Sequence, residues 1–213
     1  MSLYTLTNAN YLTATFATSI PAISDATIMC WLKLASVSAA YHTFCCIVGP
    51  AASLSTTTDG VTSNFATLGG DYPGSVVFET GIWYHMAMTI TSSSTTSHFI
   101  RGYVNGIFQT EVTDTSTFSA WTGCTACVFQ GGSDNMNGNM KDLRLWRRVL
   151  NQVEVNREMR SICPINNSGL LLWSPFDDSI IVDKVGNVKW VQTGTVQLQA
   201  GPMNTYPKRK RPF

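Results

Sequence analysis

Gly81-Ile-Trp-Tyr-His-Met-Ala-Met-Thr-Ile-Thr91, followed by Tyr103-Val-Asn-Gly-Ile-Phe108, is the part of the chain whose reading decides its fold. From Trp83 to Thr91, Met86, Met88 and Ile90 alternate with His85, Ala87 and Thr89. A period of two sends alternate side chains to opposite faces of a strand. Asn105-Gly106 is a hairpin signal, because a two-residue type I′ turn needs positive φ at both of its central positions. Phe99–Val104 and Ile107–Val112 therefore read as the two arms of that hairpin. Between the first strand and the hairpin, Thr91–Ser97 contains only Ser and Thr, which reads as a turn or loop.

Working outward, Thr27–Leu34 gives the same alternation, with Ile28, Cys30, Leu32 and Leu34 opposite Met29, Trp31 and Lys33. In Met140–Trp146 the residues Met140, Asp142, Arg144 and Trp146 alternate against Lys141, Leu143 and Leu145. Asn151, with Glu154 three residues on, reads as a capping box opening a short helix that runs to Arg160. Glu154 and Glu158, four apart on that helix, are expected on its solvated face. Leu170–Trp173 reads as a buried strand and Trp190–Leu198 as one or two closing strands. Strands of this length, punctuated by Gly, Pro, Asn, Ser and Thr, are the pattern of an all-β sandwich.

A chain of 213 residues suffices for one β domain with a substantial core. Only 13% of its residues are charged and its formal net charge is +1, so the body has no general attraction to nucleic acid or membrane. The charge is unevenly spread. Lys208-Arg-Lys-Arg211 holds four of fourteen basic residues, and without it ten basic face thirteen acidic, a body near −3. Residues 1–200 thus read as the domain and 201–213 as an extended basic tail, kept from regular structure by Pro202, Pro207 and Pro212. Lys208, Arg209, Lys210, Arg211 and Phe213 are expected to dock on another subunit, with Phe213 as the anchor and the prolines lowering the ordering cost. The opening residues lack a basic, apolar leader, and no run reaches membrane-spanning length. The expectation is synthesis in a cytoplasm, where the six cysteines are free thiols by default. Cys124-x-x-Cys127 has no second ligand pair at zinc-finger spacing.

Four pieces, in order, resemble the laminin-G-like or concanavalin A-like jelly-roll superfamily that includes the pentraxins. They are Asn10-Tyr-Leu-Thr with Asp25-Ala-Thr-Ile-Met-Cys-Trp-Leu-Lys33; Trp83-Tyr-His-Met-Ala-Met-Thr89 with Tyr103-Val-Asn-Gly106; Asn137-Gly-Asn-Met-Lys-Asp-Leu-Arg-Leu-Trp-Arg-Arg-Val-Leu150; and Leu171-Leu-Trp-Ser-Pro-Phe-Asp177. The resemblance implies a two-sheet antiparallel jelly-roll sandwich, one sheet concave, with one short helix near 152–160. It also implies that His85 is structural.

The resemblance raises three chemical questions. Glycosidases on this fold use carboxylates at alternate positions of one strand, as in E-x-D-x-E; the chain has no such triplet. It also lacks G-x-S-x-G, a phosphate loop and a dinucleotide fingerprint, so no catalytic residue is assigned and hydrolase or lyase activity is disfavoured. Glycan binding would use exposed aromatics, for which Tyr41, Tyr72, Trp121 and Trp190 are the candidates, Trp31, Trp83, Trp146 and Trp173 being assigned to the core. No cofactor is required; calcium, bound by several relatives, would find oxygen ligands in Asp134, Asn135 and Asn137, while Asp59 and Asp71 are placed in other loops. The expected function is a non-catalytic module in a larger assembly, such as a virion capsid decoration or tail component with capacity for surface glycans. The alternative is a stand-alone lectin, with or without calcium.

Overall fold

Among the described residues the chain forms fifteen strands and one helix. The computed structural model describes residues 2–5, 11–22, 25–36, 42–48, 52–126, 138–176, 181–194 and 196–199. The first sheet contains β1 (Ser2–Thr5), β3 (Ala26–Leu34), β8 (Trp83–Ser94), β9 (Ser97–Val104), β10 (Ile107–Asp114), β12 (Gly138–Trp146), β13 (Leu170–Ser174) and β15 (Val196–Gln199). The second contains β2 (Tyr11–Ile20), β4 (Thr43–Val48), β5 (Ala52–Thr56), β6 (Thr62–Thr67), β7 (Gly70–Val77), β11 (Trp121–Ala126) and β14 (Val188–Thr193). Their orders are β10-β9-β8-β3-β12-β1-β15, with β13 also on β12, and β14-β2-β11-β4-β5-β6-β7. Every pairing is antiparallel. The protein is a two-sheet jelly-roll sandwich. Among the described residues no helix is long and apolar enough to cross a membrane.

The core lies where the inner faces meet. Ile28, Cys30, Leu32 and Leu34 of β3 and Met86, Met88 and Ile90 of β8 pack against Leu12, Phe16, Phe44, Cys45, Ile47, Leu54 and Phe65 of the second sheet. Gly102 of β9 leaves room for the Phe65 ring, which a Cβ there would approach to 2.3 Å. Burial pushes the Cys45 thiol pKa up, helped by its hydrogen bond with Cys30, so this cysteine acts as a small apolar residue. Along one side the edge strands β7 and β10 are stitched together, the Ser75 N–H and hydroxyl donating to Gln109 Oε1 at 3.1 and 2.8 Å.

A second, smaller core covers the outer face of the first sheet. Helix α1 (Gln152–Met159) is held there by the expected capping box. Glu154 N–H donates to Asn151 Oδ1 at 3.0 Å, and Asn151 N–H donates to Glu154 Oε2 at 2.9 Å. Val155 packs with Met29, Ala87, Tyr103, Trp146 and Leu150. The Asn105-Gly106 turn has φ of 52° and 72° and docks on this helix, its Gly106 carbonyl accepting from Gln152 Nε2 and Asn156 Nδ2 at 3.3 and 3.2 Å.

Three sequence expectations are corrected. The Ser/Thr stretch is not a long loop: β8 continues to Ser94 and only Thr95–Thr96 turn, with Thr91 facing Phe99 and Ser94 facing Ser97. Beyond the core neither face needs apolar residues, and β-branched Thr suits an extended backbone. In β12 the alternation slips by one at a bulge between Lys141 and Arg144, where Asp142 takes φ of 57°. Asp tolerates that left-handed conformation better than most residues. Met140, Leu143 and Leu145 consequently share the inner core, while Trp146 joins the outer one. Glu158 is not solvated either: it is 3% exposed and paired with Arg144, because the helix lays that face over a buried cation.

Candidate functional site

The densest charge cluster in the described residues is structural. Arg144 (1% exposed) donates through Nε and Nη2 to Asp142 Oδ1 and Oδ2 at 2.8 and 2.6 Å, and through Nη1 to Glu158 Oε2 at 2.8 Å. Its remaining donors reach the carbonyls of Glu158 and Ser161. Trp173 Nε1 donates to Asp142 Oδ1, and the N–H groups of Ile165 and Asn166 donate to the Glu158 carboxylate. Burial pushes the Asp142 pKa up against the pull of Arg144. The two carboxylates are bridged by one guanidinium and saturated by fixed donors. That arrangement anchors the helix and the loop after it; a glycosidase pair needs its carboxyl groups open on either side of a sugar.

His85 belongs to the same structural class. It is 2% exposed, and its ring meets Trp31 edge-on at 5.3 Å. Its backbone N–H donates to Asn105 Oδ1 at 2.9 Å while its carbonyl accepts from Asn105 N–H at 2.7 Å, locking the hairpin turn to the neighbouring strand.

A different chemistry occupies the outer face of the second sheet. Alternation turns Leu54 and Phe65 to the core, so Ser53, Ser55 and Asn64 point the other way. They are 5%, 2% and 0% exposed. The Asn64 amide nitrogen donates to Ser55 Oγ at 3.1 Å and to Asp71 Oδ1 at 2.7 Å. Its own Oδ1 has no hydrogen-bond donor among the described residues. The two donated bonds fix the orientation of the amide, since only its nitrogen can serve both acceptors. Asp71, expected in a loop, stands near the start of β7 and is exposed. Cys46, half-buried, flanks Ser53 across β4–β5; burial first, then its neighbour Cys45, push its thiol pKa up to about 12. On this face Asp71 and Thr15 are exposed and Thr13 is half-buried, while Ser53, Ser55 and Asn64 are buried beneath the exposed carboxylate.

The residues singled out from sequence are not brought together. Trp121 is a correction: it is fully buried in the main core and offers no ring to a ligand, because β11 is an interior strand whose large residue fills the space between sheets. Trp190 is half-buried, packs 5.9 Å from Phe176, and donates from Nε1 to Ser174 Oγ at 2.7 Å. Tyr72 is half-buried against the core. Trp31 and Trp146 are buried as expected, whereas Trp83 and Trp173 are only half-buried. Tyr41, Asp134, Asn135, Asn137 and the tail residues Lys208, Arg209, Lys210, Arg211 and Phe213 lie outside the described residues. Among the described residues no three His, Cys, Asp or Glu side chains gather as a metal site.

Close to Tyr72, Asp114 is 1% exposed and accepts from the Thr67 hydroxyl and from Ser116 N–H. Burial acts to raise its pKa, but those hydrogen bonds outweigh it and hold the carboxyl below its ordinary 3.8. A folded-state pKa that is depressed adds stability above the unfolded value, and that stability is lost as pH falls. Melting temperature should therefore drop as pH falls below about 4, and Asp114→Asn should flatten that limb. An unchanged acid limb in the variant would contradict this role.

Residues 6–156 match the family model described as the concanavalin A-like lectin/glucanases superfamily. No curated protein matches the chain. Among solved structures, a Bacteroides ovatus protein assigned to carbohydrate binding is similar at a TM-score of 0.68 and 19% identity, over 93% of this chain and 62% of that one. The chain thus spans under two thirds of that protein's length. The heptameric SAP-like pentraxin of Limulus polyphemus is similar at 0.59 and 16% identity, over 90% of this chain and 94% of that one.

Proposed function

Because the chain belongs to the concanavalin A-like lectin/glucanase superfamily, we propose that it is a non-catalytic carbohydrate-binding module whose ligand face is the outer surface of the second sheet. The observation that carries this reading is the buried Asn64 amide clamping the exposed carboxylate of Asp71 at 2.7 Å on a floor of serines. Sugar hydroxyls are donors that bind best to acceptors already fixed in place, and a carboxylate held by a buried amide is such an acceptor. The carbohydrate-binding assignment of the Bacteroides ovatus protein supports the same ligand class.

A glycan array with the wild type, Asp71→Ala and Asn64→Ala tests the reading. Asp71→Ala removes the exposed acceptor and should abolish glycan binding with folding intact. Asn64→Ala should weaken binding and, by releasing Ser55 and Asp71, destabilise the fold by about 1–3 kcal/mol. No bound glycan for the wild type, or equal binding by all three proteins, would sink it. The finer reading, a component of a larger assembly such as a virion, is supported by the run of four cations at Lys208–Arg211 on an otherwise acidic chain. Size measurement with and without residues 202–213 tests it, since loss of the tail should release a folded monomer.

A further inference from the structure

The helix and the loop that follows it form an exposed ridge on the first sheet. At 3.6 residues per turn, Val153, Arg157 and Arg160 fall within an arc of about 60°. They lie opposite Val155, Glu158 and Met159, which are buried. All three crest residues are exposed, Val153 at 59%. The chain then turns through Ser161-Ile-Cys-Pro-Ile165, where Ile162 and Ile165 are each 60% exposed. The loop is pinned in that state. Arg144 Nη2 donates to the Ser161 carbonyl at 2.6 Å, and the Ser161 hydroxyl donates to the Cys163 carbonyl. The Glu158 carboxylate takes the N–H groups of Ile165 and Asn166 at 3.1 Å, and Trp146 Nε1 donates to the Asn166 carbonyl at 3.0 Å. The buried Arg144 cluster thus holds two isoleucines out in water, where each forgoes the stabilisation of burial.

The charge on this ridge has one sign. From Asp142 to Leu170 the chain carries five arginines and three acids. None of the acids is exposed: Asp142 and Glu158 are buried on Arg144, and Glu154 is half-buried and paired with Arg148 at 2.8 Å. The exposed charges of the segment are Arg147, Arg157 and Arg160. The hairpin turn docked on the helix, Asn105-Gly106, adds no charge. Val153, Ile162 and Ile165 are not among the walls of the neighbouring cleft, which is lined by Pro164, Leu170 and Trp173. A folded acidic partner would need a recess for each of these separate side chains. A fluid bilayer yields around any ridge, and a cationic, apolar ridge suits the boundary between its headgroups and its acyl chains.

We propose that this ridge docks the protein on an anionic lipid bilayer, with Ile162 and Ile165 entering the headgroup layer and Arg157 and Arg160 facing the lipid anions. This goes beyond the glycan face of the second sheet and does not depend on it. The small net charge of the whole chain does not oppose it, because attraction to a charged surface is set by the groups within a Debye length of it. The test uses the full-length chain carrying Lys208→Ser, Arg209→Ser, Lys210→Ser and Arg211→Ser, so that the tail adds no attraction of its own. It is floated with vesicles of phosphatidylcholine, or of phosphatidylcholine mixed with phosphatidylserine. Binding should need the mixed vesicles. Arg157→Ser with Arg160→Ser should lower the partition coefficient about thirtyfold, and Ile162→Ser with Ile165→Ser about tenfold. A fluorophore on Cys163, exposed in the same loop, should brighten and shift to the blue on the mixed vesicles, with Cys163→Ser as the labelling blank. Asp71→Ala should change none of this, which separates the ridge from the glycan face. Equal binding to both kinds of vesicle, binding that survives either pair of substitutions, or a Cys163 signal that does not move would overturn the proposal. The four replaced ridge side chains are exposed, so the variants should melt as the parent does.

Discussion

Replacing Arg144 by methionine lowers the free energy of unfolding by about 3–5 kcal/mol, the cost of stranding buried charge that has lost its partner. For a domain of this size that is a drop in melting temperature of roughly 6–20 °C. The loss does not come from the guanidinium alone. With it gone, Asp142 and Glu158 face each other in a dry site, and the carbonyls of Glu158 and Ser161 lose their donor. Neutralising both acids in the same background, with Asp142→Asn and Glu158→Gln, should recover a good part of the stability, because amides carry no uncompensated charge. Thermal and urea melts of the single and triple variants check both statements. A single variant within about 1 kcal/mol of wild type would show that the cluster carries little weight.

The second large effect lies between the sheets. Phe65→Ala should cost about 3–5 kcal/mol, the usual range for a buried aromatic replaced by a cavity. Gly102→Ala should cost about 1–3 kcal/mol by overpacking the same ring. The two changes address one space, so they should not add: once the ring is gone, the new methyl enters the void and the Gly102→Ala penalty should vanish. A double-mutant cycle measures this, with a coupling of about 0.5–3 kcal/mol expected for residues in contact. Strict additivity would mean that the strand shifts to accommodate the methyl and that Gly102 is not needed for the ring.

Much of the fold was legible because its determinants are local. The alternation of β3 and β8, the Asn105-Gly106 turn and the Asn151–Glu154 box are written within a few residues each, and all appear where their spacing places them. The bulge at Asp142 was not legible, since aspartate permits a left-handed backbone without announcing it. The burial of Glu158 depends on Arg144, fourteen residues earlier and on another element. The Asn64–Asp71 clamp is created by the pairing of β6 with β7. The sequence signal that could have found it is an Asn and an Asp on opposite sides of the Leu68-Gly69 turn, close enough in a hairpin to share a face. Of the aromatic candidates, Trp121 fills the core, because its burial depends on the packing of the two sheets, while Tyr72 and Trp190 are half-buried against it.

The Ser75–Gln109 stitch between β7 and β10 has a consequence for what the molecule can join. Edge strands invite foreign strands to extend a sheet, a hazard for aggregation and a route to polymer growth. On this side the two edges face each other across the Ser75–Gln109 hydrogen bonds, and β7 also carries Pro73, which has no amide hydrogen to offer. Among the described strands, joining by strand addition is thereby left to the opposite flank, where β14 and β15 end the two sheets, and one such flank per molecule closes a pair instead of extending an array.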